Sequence, residues 1–473
     1  MFKPIVFIIM LSLIYGSNSR ELNRKFSTPN IILILVDDMG VADLGCYGND
    51  FHETPNIDQL AASGVQFINA YASSPVCSPT RASILTGKYP ASLNLTEWIP
   101  GKPSEPSEKL IAPEFRHSLP DNELTLAEFL KGKGYQTASF GKWHLGGAGS
   151  LPTDHGFDVN VAGNQAGLPP SYFYPYRKDD FVLPDLNTGG TKDEFLTDRL
   201  TKEAMNWLTE HKEKPFFMYL SYFTVHIWLE TKQALKEKYL QKAEEGDYQS
   251  LTNPVYAGMI ETLDHNVGKI MNTLRQHNLL NNTIVVFYSD NGGLHKKESE
   301  NTPATNNGIY REGKGHLYEG GIREPLIFFG RNRIKEGEKS DAVITTVDIM
   351  PTIIDLGGFE VPASDGKSFA NHLLTNDAIE EKPIFWHYPH YSYQGGTPSG
   401  AIRLGDYKLI EFFEDNSVEL YNIENDPREK YNLATEKVAL KDIMLKKLHQ
   451  WQKDVNAQMP VINPGFREKQ QFD

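Results

Sequence analysis

Residues 30–36, Asn-Ile-Ile-Leu-Ile-Leu-Val, form an apolar run that shows no polar face and stops at a pair of aspartates, Asp37-Asp38. An amphipathic helix would bring a polar residue round every third or fourth position, and a half-buried strand would alternate. A short β-branched run with neither pattern suits a strand buried on both faces of a largely parallel sheet. Similar runs occupy 215–221 and 283–289, the second ending in Asp290-Asn291-Gly292-Gly293. Amphipathic helical patterns separate them at 56–62, 125–131, 195–211 and 256–277. Strands alternating with helices predict an α/β fold, a mostly parallel central sheet flanked by helices. In such sheets ligands bind beyond the carboxyl ends of the strands. Both polar pairs, Asp37-Asp38 and Asp290-Asn291, sit at such ends.

A chain of 473 residues exceeds what one core usually supports, so a large domain and a smaller one are expected. Past residue 371 the pattern breaks into short strand-like pieces at 384–388, 407–412 and 418–421, then a polar helix at 439–455. This predicts a large α/β domain over 20–379 and a smaller C-terminal antiparallel sheet subdomain over 380–473. Residues 1–19 read as a signal peptide: Lys3, an apolar stretch at 4–15, then Gly16-Ser-Asn-Ser19. That stretch is shorter than the ~20 residues of a membrane span, and no later segment is long and apolar enough for one. An exported protein, periplasmic or secreted, is expected. The formal net charge of −14 disfavours nucleic acid as a partner. Aperiodic segments at 147–190 and 299–313 read as long surface loops of the kind that carry substrate contacts.

The densest chemical signal is Cys77-Ser-Pro-Thr-Arg-Ala-Ser-Ile-Leu-Thr-Gly87. Pro79 suits the first turn of a helix and Gly87 its exit. Arg81, four residues after Cys77, then projects from the same helical face. A reactive group at a helix N-terminus beside a guanidinium is suited to anions. The only other cysteine, Cys46, reads as a small residue in the 44–48 turn. A disulfide between the two would consume the candidate nucleophile. Asp37, Asp38, Asp290 and Asn291 offer the carboxylate and amide oxygens that a hard cation takes.

The Cys77–Gly87 segment resembles the signature of the formylglycine-dependent sulfatases, Cys-x-Pro-x-Arg followed by Ala-Ser-x-Leu-Thr-Gly. The likeness extends to Gly141-Lys-Trp-His-Leu-Gly146, to Gly313-Lys-Gly-His-Leu-Tyr-Glu-Gly-Gly-Ile-Arg323, and to Gly405-Asp-Tyr-Lys-Leu-Ile410. It runs from about Asn30 to Asn432. It implies an alkaline-phosphatase-like fold and oxidation of Cys77 to Cα-formylglycine by a formylglycine-generating or sulfatase-maturating enzyme. It further implies a metal site of Asp37, Asp38, Cys77, Asp290 and Asn291 for Ca²⁺ or Mg²⁺. Lys142 and Lys314 would bind sulfate, and His144 would assist the hydrate hydroxyl that Arg81 orients. His226 would contact the leaving oxygen, although Ile227 and Trp228 depart from the Val-His-Thr-Pro form common in relatives. Glu319 and Arg323 read as structural.

The chain is similar to bacterial polysaccharide sulfatases, which implies a sulfated carbohydrate: an algal ulvan or carrageenan fragment, or a glycosaminoglycan. The aromatic loop 164–176 is expected to offer faces for sugar rings, and His387 or His390 to reach the pocket rim. Two alternatives stand beside this reading: a phosphoester hydrolase of the same superfamily, and a non-catalytic glycan-binding protein.

Overall fold

The structure, a computed structural model, describes residues 28–467. The expected signal peptide lies outside these residues. The main sheet contains β1 (Asn30–Val36), β2 (Val65–Tyr71), β3 (Gln136–Gly141), β4 (Val159–Val161), β5 (Phe216–Ser221), β6 (Thr283–Ser289), β7 (Leu326–Phe329) and β8 (Glu338–Thr345). Its eight strands are ordered β8-β2-β7-β6-β1-β5-β3-β4. Every pairing is parallel except those of β7, which runs against both β6 and β2. The doubly apolar run is thus a central strand. Successive β1 side chains point to opposite faces, so Ile32, Ile34 and Val36 enter one buried cluster and Ile31, Leu33 and Leu35 the other. Helices cover both faces. Pro55–Ala62, Leu196–Glu210 and Pro254–Gln276 pack on the first, and Cys77–Thr86, Leu126–Gly132 and Ile349–Leu356 on the second.

Register explains why distant residues meet. Val36 lies opposite Ser289 and Leu35 opposite Ser221, while Gly141 also faces Ser221. The residues that follow these strands therefore emerge side by side at one sheet edge: Asp37 and Asp38, Asp290 and Asn291, and Lys142. Because β7 is reversed, the segment leading into it, 313–323, arrives at the same edge.

The C-terminal sheet is an antiparallel meander of β9 (Ile384–Tyr388), β10 (Ser399–Leu404), β11 (Tyr407–Phe412) and β12 (Ser417–Asn422). The helix Val438–Asp454 lies on one face, with Met444 and Leu448 buried against Ile402, Leu409 and Leu420, and Trp451 stacked on Phe385. On the other face Trp386 packs against Tyr71, and its Nε1 donates to the Ala72 carbonyl at 2.7 Å. Beside it a buried charge network joins the pre-β7 segment to this sheet. Lys408 Nζ lies 2.7 Å from both Glu319 and Glu429, and Arg323 pairs with Glu319 at 3.2 Å. Glu319 and Arg323 therefore serve the architecture, as their sequence context implied.

Candidate active site

Cys77 opens the helix Cys77–Thr86, which is buried along its whole length. The chain leaves at Gly87, whose φ of 67° is left-handed and whose N–H caps the Ser83 carbonyl; a side chain here would be strained. The cysteine thus sits at the helix N-terminus with its thiol buried, and both Cys77 and Cys46 are free. Burial, against the pull of Lys142 and Lys314, pushes the Cys77 thiol up. Cys46 lies in the short turn Gly45–Tyr47, its N–H donating to Asp58 at 2.7 Å.

Around Cys77 the strand-end residues converge. Arg81 donates to Asp290 Oδ2 through Nε at 2.8 Å, with Nη2 2.7 Å from the same oxygen and 3.5 Å from Asp37. Its Nη1 donates to Ser221 Oγ at 2.6 Å and to the Lys142 carbonyl at 3.2 Å. Lys142 Nζ bridges both oxygens of Asp37 at 2.9 and 2.7 Å. Lys314 Nζ donates to Asp38 Oδ2 at 2.7 Å and to His226 Nε2 at 2.9 Å. Burial pushes Asp37 up to about 8, with Lys142 opposing and Asp290 adding to the rise. Burial also acts on Asp38, but His226 and Lys314 outweigh it and hold that carboxyl below the usual range.

Two histidines complete the cluster. His144 Nδ1 lies 3.3 Å from Cys77 Sγ, and its Nε2 lies 2.5 Å from the Ile99 carbonyl. A carbonyl only accepts, so Nε2 carries the proton and Nδ1 of the neutral ring is left as an acceptor. Burial, reinforced by Lys142, holds His144 well below its ordinary value. His226 is fixed by the same logic. Its Nδ1 donates to the Ile227 carbonyl at 2.8 Å, and burial together with Lys314 lowers it to about 3.

The donor set fits a hard cation. Asp37, Cys77 and Asp290 each direct one ligand atom to within 4.8 Å of the others. Asp38 lies beside them, its backbone N–H donating to Asp290 Oδ1 at 3.1 Å and its Oδ1 accepting from Asn291 Nδ2 at 2.8 Å. Asn291 Oδ1 is buried and has no partner. An orphaned carbonyl oxygen among crowded buried carboxylates is costly without a counter-charge and is an apt ligand for Ca²⁺ or Mg²⁺.

A cavity of about 920 Å³ opens over Cys77, His144, His226 and Lys314. Its walls come from residues that no motif marked: Trp98 and Ile99, Phe181, Glu298, and Tyr393 and Gln394 from the C-terminal subdomain. Trp98 and Tyr393 form a tilted ring pair 6.2 Å apart, and Gln394 Nε2 donates to Glu298. Two expectations are corrected here. His387 and His390 do not reach the rim; both are buried, bonded to the Gln458 carbonyl at 2.9 Å and to Thr96 Oγ1 at 2.8 Å. In the aromatic loop, Tyr172 and Tyr176 turn into the core, where burying a ring outweighs exposing it. Tyr172 Oη donates to the Phe223 and His226 carbonyls at 2.6 and 2.9 Å, so it anchors the His226 turn. The loop's contribution to the cavity is 164–168.

The family model described as "Sulfatase" matches residues 29–359, and one described as "N-sulphoglucosamine sulphohydrolase, C-terminal" matches 308–458. The chain belongs to the sulfatase family. This sulfatase, a hydrolase of sulfate esters, is 31% identical to a sulfatase of Formosa agariphila over 95% of its own length and 93% of the relative's. It is 32% identical to the N-acetylgalactosamine-6-sulfatase of Sus scrofa, covering 83% of this chain and 73% of that one. Among solved structures, Ps i-CgsB in complex with k-i-k-neocarrahexaose superposes with a TM-score of 0.73 at 29% identity, covering 94% of this chain and 96% of that one. The sulfatase fold thus spans both the large sheet and the C-terminal meander.

Proposed function

We propose that this sulfatase is exported, to the periplasm or the medium, and releases sulfate from a sulfated poly- or oligosaccharide. Its nucleophile is Cys77 after conversion to Cα-formylglycine, and its metal is Ca²⁺ or Mg²⁺. The observation that carries the reading is the placement of Cys77 beneath a cavity of about 920 Å³ whose outer wall holds the Trp98 and Tyr393 rings. That volume is at the upper end of ordinary ligand sites, and aromatic faces suit sugar rings. The relative named N-acetylgalactosamine-6-sulfatase and the structure solved with neocarrahexaose support a carbohydrate. Among the described residues no helix is long and apolar enough to cross a membrane.

Oxidation of Cys77 to the aldehyde supplies, on hydration, a diol hydroxyl able to attack sulfur. Asp37, Asp38, Asp290, Asn291 and residue 77 would hold a divalent cation, which would supply positive charge toward the sulfate oxygens and lower the pKa of that hydroxyl. Lys142 and Lys314, both buried, present ammonium groups to the remaining sulfate oxygens. These local cations offset the chain's net charge of −14, which by itself would repel an anion. His144 Nδ1, its direction fixed by the Ile99 carbonyl, accepts the proton of the second residue-77 hydroxyl, whose collapse to the aldehyde breaks the bond to the transferred sulfate and releases it. Arg81 holds Asp290 and orients residue 77. His226 lines the cavity with its Nε2 accepting from the Lys314 ammonium, so the departing sugar oxygen takes its proton through this Lys314–His226 pair.

Sulfate release from a panel of sulfated oligosaccharides tests the substrate. Turnover of one or more glycan sulfates is expected; activity confined to small aryl or lipid sulfates would contradict a carbohydrate substrate.

A further inference from the structure

Two histidines and a glutamate converge outside the catalytic cluster, on the loop that delivers Lys314. His295 follows the Asp290-Asn291 turn, and Glu312 and His316 bracket Lys314. His295 Nε2 lies 2.7 Å from Glu312 Oε2, and His316 Nε2 lies 3.8 Å from the same oxygen. The three donor atoms all fall within 4.8 Å of one another. For a tetrahedral ion with bonds of roughly 2.0–2.1 Å, ligand atoms sit about 3.3 Å apart. The observed separations straddle that value.

Tautomers sharpen the case. His316 Nδ1 faces the Lys314 carbonyl at 3.3 Å, so in the neutral ring Nδ1 carries the proton. Its Nε2 is then left with a lone pair 3.8 Å from the Glu312 oxygen that also faces His295, a spacing that a cation between them would bridge. A backbone carbonyl holding the far nitrogen is also the usual outer-shell support of a metal-bound imidazole. Lys296 Nζ reaches Glu312 Oε2 at 3.0 Å and is the cation now beside it. That side chain is 46% exposed, so it is free to swing into solvent.

We propose that His295, Glu312 and His316 bind a zinc-class divalent ion, separate from the hard-cation cluster at Asp37, Asp38 and Asp290. Two imidazoles and one carboxylate suit zinc, whereas carboxylate and amide oxygens suit calcium. A cavity of about 250 Å³ lined by Glu312, His316 and Thr397 leaves room for water to complete the coordination. Bound there, the ion ties the segment after β6 to both sides of Lys314 and stiffens the backbone that presents this lysine.

The test is equilibrium dialysis of the full, Ca²⁺-saturated protein against Zn²⁺, with metal analysis. The wild type is expected to hold one more zinc per chain than His295→Asn or His316→Asn, each checked for folding by circular dichroism. Co²⁺ in place of Zn²⁺ is expected to give a visible ligand-field band that the same variants lose. Lys296→Ala, a half-exposed change with little risk to folding, removes the competing ammonium and is expected to tighten zinc binding several-fold. Equal zinc content in wild type and both histidine variants would overturn the proposal, as would unchanged or weaker zinc affinity in Lys296→Ala.

Discussion

His144 Nδ1 stands 3.3 Å from Cys77 Sγ, while the opposite ring nitrogen is held 2.5 Å from the Ile99 carbonyl. The backbone of one loop thus sets the proton position on a ring aimed at Cys77. His144→Ala should lower kcat by about 10²–10⁴-fold, the usual contribution of a positioned acid or base. Steady-state kinetics beside a thermal melt checks this: kcat falls while Tm moves little.

Gly167 tests the placement of the same ring from outside. A Cβ added there would sit 2.5 Å from His144 Cε1, closer than real contacts allow. Gly167→Ala is expected to displace the imidazole and reduce kcat, whereas Gly132→Ala, with open space around it and no left-handed φ, should leave the rate within about twofold. Equal activity of Gly167→Ala and wild type would contradict the tight packing.

The residues proposed as catalytic were legible because motifs sit where strands end, and strand ends converge whenever the sheet is parallel. The three apolar runs became β1, β5 and β6 almost to the residue. Other strands were hidden by their own polar residues. β2 carries Gln66 and Asn69, buried because their amides donate to the Cys46 and Asp341 carbonyls at 2.9 and 2.7 Å. β10, Ser-Gly-Ala-Ile-Arg-Leu, shows no clean alternation, since its Arg403 is buried against Tyr71. The cavity wall was not legible either. Trp98, Glu298 and Tyr393 belong to separate loops, and only tertiary packing makes them neighbours.

Removing the proposed metal should destabilise the protein as well as silence it. Asp37, Asp38 and Asp290 share one buried site, and Asn291 Oδ1 is buried with no protein partner. A ligand at about 100 times its Kd adds about 2.7 kcal/mol to stability. Chelation should therefore lower Tm and abolish turnover, and Ca²⁺ or Mg²⁺ should restore both. Asn291→Ala should raise the metal concentration needed for recovery.

Glu97 gives a pH signature independent of catalysis. Buried beneath the cavity wall, it accepts from the Trp98 N–H at 2.9 Å and from Tyr388 Oη at 3.2 and 3.1 Å, with His390 Nδ1 3.8 Å away. Burial raises its carboxyl from 4.5 to about 8, opposed by the hydrogen bonds from the Trp98 N–H and the Tyr388 hydroxyl and then by Lys102 and Lys314. The folded protein thus retains a proton that the unfolded chain releases, and Glu97 costs stability as pH rises from about 4.5 to 8. Glu97→Gln, which keeps the acceptor oxygen, should match the wild-type Tm near pH 5 and exceed it near pH 8. A Tm difference that does not change with pH would contradict a neutral Glu97.

The central claim is that Cys77 becomes the nucleophile by oxidation. Peptide mass spectrometry of active protein from its native host, with aldehyde trapping because the hydrate nearly matches the thiol in mass, tests it most directly. A loss of roughly 18 Da at Cys77, the covalent change from thiol to aldehyde, is the predicted result. Fully active protein carrying an unmodified Cys77 thiol would contradict it.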